Sequence, residues 1–116
     1  LEKITKEALI VESEYLNKEK ILLLKITEEI DHHAVEKIRR KADFEIEKHI
    51  PRKVVFDFSD VTFMDSAGIG LILGRYKNIS SLGGNLEIIN ATETVNKILI
   101  MSGINKIINI NKEECA

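Results

Sequence analysis

The run Val54-Val55-Phe56-Asp57-Phe58-Ser59-Asp60-Val61-Thr62-Phe63-Met64-Asp65-Ser66-Ala67-Gly68-Ile69-Gly70-Leu71-Ile72-Leu73 decides the fold. Its first five residues follow the chain's sole proline, Pro51, and carry one acid among β-branched and aromatic side chains, which reads as a strand. From Asp65 the apolar spacing changes. Ile69, Ile72, Leu73, Tyr76 and Ile79 recur in steps of three and four, the stripe of an amphipathic helix, and Gly83-Gly84 ends it. A strand that passes through a short loop into a helix is half of a β-α-β unit.

Working outward, Leu86 to Ile89 is the next strand. Thr92 can cap a third helix with Val95, Ile98 and Leu99 inside, Met101-Ser102-Gly103 closes it, and Ile107 to Ile110 reads as a last strand. On the N-terminal side, Val35, Ile38, Ala42 and Ile46 form one stripe of a helix over 31–46, with Asp31 placed as its N-cap. Before it, Ala8 to Tyr15 and Ile21 to Ile26 read as strands joined by the polar turn Asn17-Lys18-Glu19-Lys20, an antiparallel hairpin. The order is β-β-α-β-α-β-α-β. It predicts an α/β fold: a mixed, mostly parallel sheet with an N-terminal β-hairpin and helices packed on it. Right-handed crossovers place successive helices on one side unless the strand order reverses, and that order stays open.

The chain has 116 residues, the size of one domain, expected to span 1–116. Hydrophobic residues at 44% are enough for one real core. Seventeen Lys+Arg against nineteen Asp+Glu give a net charge of −2, so the basic surplus of a nucleic-acid binder is missing. The lone Cys115 cannot form an internal disulfide and reads as a frayed terminal residue. The start lacks a signal-peptide core, and apolar runs such as Ile21-Leu22-Leu23-Leu24 fall far short of the ~20 residues of a membrane helix. These features predict a cytoplasmic protein with no membrane and no nucleic-acid partner.

The densest unusual feature is Asp65-Ser66-Ala67-Gly68-Ile69-Gly70. Local chemistry alone favours Ser66 as a helix N-cap. Gly68 and Gly70, however, weaken the first turns by up to ~1 kcal/mol each relative to Ala and clear side chains from around Ser66, so another protein could approach its backbone. A phosphate on Ser66 would face free amide hydrogens and the positive helix end. A hydrolase elbow needs Gly at position 64, which is Met64, and nothing aims His32, His33 or His49 at Ser66. Gly68, Gly70 and Gly74 match neither nucleotide-binding glycine pattern. Asp31-His32-His33 is a poor metal site, because neighbours on a helix point about 100° apart. No catalytic residue, metal or cofactor is expected. Arg75 follows the apolar stripe and could flank an interface.

The stretch from Phe63 to Lys77, with Ile30-Asp31-His32-His33-Ala34-Val35 and Met101-Ser102-Gly103-Ile104-Asn105-Lys106-Ile107-Ile108 in the same order, closely resembles the anti-sigma factor antagonists of sporulating bacteria, the stage II sporulation protein AA type, within the STAS domain superfamily. The resemblance implies a partner-switching protein rather than an enzyme. The unphosphorylated form would bind an anti-sigma factor serine kinase and free a sporulation sigma factor. Phosphorylation of Ser66 by that kinase would end the interaction, and a serine phosphatase would restore it. The resemblance implies Asp31 as the aspartate beside the phosphorylated serine. The expected partner contacts are Asp31, Asp65, Ala67, Gly68, Gly70 and Arg75. Where the family often has a second serine, this chain has Ala67, which leaves Ser66 the sole acceptor in the motif. Relatives usually end in a further helix, which the run 112–116 leaves shortened or absent. The alternative is a STAS scaffold or ligand-sensing module whose Ser66 is only a cap.

Overall fold

The computed structural model of the chain describes residues 10–111. Among these residues five strands and three longer α-helices alternate as predicted: β1 (Val11–Leu16), β2 (Ile21–Ile26), α1 (Val35–His49), β3 (Lys53–Asp57), α2 (Ser66–Ser81), β4 (Asn85–Ile89), α3 (Glu93–Ser102) and β5 (Asn109–Asn111). A short 3-10 turn, Ile104–Lys106, precedes β5. Of the predicted first strand, Ile10 is helical, so the strand starts only at Val11, while Ala8 and Leu9 lie outside the described residues, as do Cys115 and the C-terminal run 112–116.

The sheet runs β1-β2-β3-β4-β5 in sequence order. β1 pairs antiparallel with β2, closing the predicted hairpin, and every later pair is parallel. The strand order never reverses, so right-handed crossovers carry all three helices over one face. The register shows which face. Leu22, Val54 and Leu86 stand side by side across β2, β3 and β4, as do Leu24, Phe56 and Ile88, and all six are fully buried. The intervening rows, Leu23-Val55-Glu87 and Lys25-Asp57-Ile89, face away from the helices and mix apolar with charged side chains. From α1, the predicted Ile38, Ala42 and Ile46 are buried while Val35 is only half-buried. From α2, Ile72 and Ile79 are buried, joined by Leu71, which lies beside the predicted stripe. Val95 and Leu99 of α3 complete the layer. Burying one such side chain stabilises by about 1.5–3 kcal/mol, which outweighs the ~1 kcal/mol that each glycine of α2 costs its helix.

Most helix ends follow the sequence. α2 ends as predicted: Gly83 adopts φ +82°, and the Gly84 amide donates to the Ile79 carbonyl at 2.8 Å. Gly103, at φ +81°, ends α3. α1 instead ends on Ile50 in the left-handed region, a strained place for a β-branched residue, with Pro51 next to forbid a further turn. Its N-terminus is shorter than predicted, because Asp31 begins a separate turn and Ala34 is the capping position. The last strand also starts two residues late, because the 3-10 turn takes the chain through Ile107 before Asn109 pairs with Glu87.

A Cβ on Gly84 would stand 3.0 Å from the carbonyl oxygens of both Pro51 and Arg52, backbone atoms that cannot swing aside. Gly84→Ala is therefore expected to destabilise the fold by about 1–3 kcal/mol in urea titration, with the slope unchanged.

Candidate functional site

Parallel strands bring their C-terminal ends to one edge of the sheet, and the loops that leave β2 and β3 meet there. An isolated parallel bridge ties them, Ile30 to Met64. The Ile30 amide donates to the Phe63 carbonyl at 3.0 Å, and the Asp65 amide donates to the Ile30 carbonyl at 3.1 Å. Ile30 and Met64 are both buried, so the strap is packed as well as hydrogen-bonded. It carries Asp31 to the side of Asp65 and Ser66, residues 34 and 35 positions further along the chain.

Asp65, and not Ser66, is the N-cap of α2. Its Oδ1 accepts from the Ala67 amide at 2.8 Å, and its carbonyl accepts from the Gly68 amide at 3.0 Å. The other carboxylate oxygen, Oδ2, reaches across to the first loop and accepts from the His32 amide at 3.2 Å, with the His32 ring nitrogen 3.7 Å away. Ser66 is thereby relieved of capping. It is the first residue of α2, exposed, and its hydroxyl has no hydrogen-bond partner among the described residues. The expected anion slot at this helix end is also taken, because Asp65 holds the Ala67 and Gly68 amides itself.

Asp31 organises its own turn. Its Oδ1 accepts from the amides of His33 at 3.0 Å and Ala34 at 2.9 Å. The Ala34 hydrogen bond above all, then that of His33 and the two imidazoles, holds the Asp31 carboxyl below the ordinary aspartate range. The Ile30–Met64 bridge thus brings the turn of Asp31 to the edge where Asp65 precedes Ser66. The His32 and His33 rings meet at a tilt of 39° with centroids 3.9 Å apart, both exposed. A cleft of about 450 Å³ opens beside Asp31, lined also by Glu28, Glu29 and Asp60. Among the described residues no group of three acids, histidines or cysteines is arranged to hold a metal.

The remaining predicted contacts divide. Ala67 is half-buried beside Ser66. Gly70 is exposed, with nothing within 4 Å of an added Cβ, so it offers an open approach. Gly68 does not: it is buried, and a Cβ there would lie 2.3 Å from Met64 Cγ and 3.1 Å from Ile30 Cγ2. Its glycine is required by the strap packing under α2, a tertiary demand invisible in sequence. Arg75 is placed elsewhere too. Its side chain is 12% exposed and its Nε lies 2.9 Å from Asp43 Oδ1, an ion pair between α1 and α2 whose angle falls short of a hydrogen bond. Arg39 completes that junction, bonded to both Asp43 and Glu36. The residue that sequence reasoning undervalued is Asp65 as a link between loops. Its only sequence signal was a good capping residue standing next to another one.

Comparison with known proteins agrees with the fold. The STAS domain profile matches residues 13–114. A Paenibacillus polymyxa protein named anti-sigma F factor antagonist is 35% identical over 94 residues, 81% of this chain and 80% of its own. The structure of the anti-sigma factor antagonist SpoIIAA in its unphosphorylated form superposes with a TM-score of 0.77 at 30% identity, covering 90% of this chain and 88% of that one. The structure of the Bacillus cell fate determinant SpoIIAA in the phosphorylated form matches at 28% identity and a TM-score of 0.69, covering 90% and 91%.

Two tests read the site's construction. Gly68→Ala is expected to lose roughly 1–2 kcal/mol of stability, overpacking against Met64 exceeding the helix-propensity gain. Gly70→Ala is expected to gain up to ~1 kcal/mol. Thermal melts of the pair check the contrast. The Asp31 carboxyl binds its proton less readily in the folded chain than in the unfolded one. Its contribution to stability is therefore full above about pH 4 and lost as pH falls through the lowered folded value. Carbon-detected NMR titration is expected to give Asp31 a midpoint below the ordinary ~3.9.

Proposed function

The chain belongs to the STAS domain family, and from that premise we propose that it is an anti-sigma factor antagonist switched by phosphorylation of Ser66. Its unphosphorylated form binds an anti-sigma factor that is also a serine kinase and so releases a sporulation sigma factor. The kinase phosphorylates Ser66 and ends the interaction, and a serine phosphatase resets it. The chain supplies an acceptor, not a catalyst, and acts in the cytoplasm as one domain. Support comes from the names of its relatives and from a matching fold known in both an unphosphorylated and a phosphorylated form. The single observation that carries the reading is the free, exposed hydroxyl of Ser66, left so because Asp65 does the capping.

The switch follows from charge. A phosphoryl group adds about −1.5 to −2. On Ser66 it would stand next to the Asp65 carboxylate, and two of the helix amides that might have neutralised it, those of Ala67 and Gly68, are already held by Asp65. The modified surface is strongly anionic as well as larger. A partner closing over it would have to bury an unpaired charge, which costs several kcal/mol, and each ~1.4 kcal/mol is tenfold in affinity. No refolding is needed. Gly70 leaves the first turns of α2 open to the partner. Asp31, Asp65 and Ala67 form the rest of the contact, Gly68 serves it by seating the strap, and Arg75 serves it by fixing α2 against α1.

Incubation with the cognate anti-sigma kinase and ATP is expected to add one phosphate at Ser66, read by intact mass and site localisation. Ser66→Ala should keep kinase binding and Ser66→Asp should weaken it roughly a hundredfold or more. A phosphate elsewhere, or equal affinity of the two variants, would instead favour a scaffold in which Ser66 has no switching role.

A further inference from the structure

The end of the molecule opposite Ser66 has a composition of its own. The β1–β2 turn and the loops leading into β3, β4 and β5 collect there, because the four parallel strands all start at that end. Each helix terminates by presenting a large apolar side chain to solvent. These are Ile50 after α1, Leu82 after α2, and Ile100 and Met101 in the last turn of α3, with Ile107 just beyond. Met101 is 87% exposed. The same loops carry Lys18, Lys20, Lys48, Arg52 and Lys106, all exposed and none joined in an ion pair among the described residues. The acids at this end are Glu19 and Glu47, so five cations leave an excess of three positive charges. The Ser66 end has the opposite balance, with Glu28, Glu29, Asp31, Asp60 and Asp65, where Lys25 is held on Asp60 at 3.5 Å. With Lys37 also at the acidic cleft, the described residues still leave an acid excess at the Ser66 end and a basic, apolar opposite end.

We propose that this basic, apolar end docks on the surface of an anionic lipid bilayer. An occupant must supply negative charge and also accept isolated apolar side chains projecting from separate loops. The acidic end of a second copy would match the charge, yet Phe63 is the one large apolar side chain exposed there among the described residues. A bilayer interface matches both features. Apolar tips enter the boundary between headgroups and acyl chains, and lysines and arginines are held by anionic headgroups within a Debye length. No helix among the described residues is long and apolar enough to cross a membrane, and surface docking needs none. Ser66 lies at the other end of the sheet from the docking face, at least about one strand length off, roughly 17 Å. A docked domain therefore keeps its phosphoacceptor accessible, and the proposal stands independently of the partner-switching reading.

The test is co-sedimentation of the full chain with phosphatidylcholine vesicles, with and without a phosphatidylserine fraction of roughly a third. Protein is expected to pellet with the anionic vesicles at low ionic strength, to release as salt approaches about 0.15 M, and to ignore the neutral ones. The double variant Lys18→Glu, Lys20→Glu and the single variant Met101→Ser, each melting like the parent by circular dichroism, should bind at least tenfold more weakly. Equal binding to both vesicle types, no binding at low salt, or unchanged binding by both variants would overturn the proposal. So would the absence of vesicle binding together with concentration-dependent self-association that the double variant abolishes, which would assign this end to a second copy.

Discussion

The carboxylate of Asp65 is the constraint on which the rest of the site depends. One oxygen closes the first turn of α2 on Ala67, and the other holds the His32 amide of a loop that left the sheet a whole β-α-β unit earlier. With the Ile30–Met64 bridge beneath it, this makes one rigid edge out of two loops that would otherwise be independent. Replacing a capping aspartate by alanine typically costs about 1 kcal/mol, small beside the buried core. The core fixes that the domain folds, and Asp65 fixes what its edge presents.

What it presents is a serine hydroxyl without an internal partner among the described residues, beside the Asp65 carboxylate and before an open glycine. Each element is ordinary, and their arrangement gives the contrast. The free form offers hydrogen-bonding groups at a helix start that a partner can cover closely. A phosphorylated form would offer a further anion beside Asp65, with the Ala67 and Gly68 amides already taken. Opposite this edge the charge reverses, and loop-tip aliphatic side chains replace acids. The two ends are suited to different surroundings while the sheet between them stays the same.

Most of the fold was legible in the sequence because the period of the apolar residues changes cleanly at each boundary, as it does between Phe58 and Ile69. The strand order was not, since a parallel strand reads alike wherever it lies in the sheet. Cap assignment failed where chemistry is degenerate. Asp65 and Ser66 are both good caps, and only the pull of His32 from a distant loop decides between them. Asp31 looked like the cap of α1 for the same local reason, yet the strap at Ile30 holds it three residues short of the helix cap. Gly68 and Gly70 are indistinguishable as letters. Met64 and Ile30 packed beneath make one obligatory, while solvent leaves the other open. Arg75 looked like a surface cation because Asp43, its partner, lies on another helix.

If a single carboxylate links α2 to the His32 loop, residue-resolved hydrogen exchange on Asp65→Ser will separate its two hydrogen bonds. Serine can still cap the Ala67 amide but is too short to reach His32 as well. Protection of the Ala67 amide should be largely retained and that of His32 lost, with the central amides of β3 unchanged. Retained protection at His32 would show that the loop is held without Asp65 and would contradict the account.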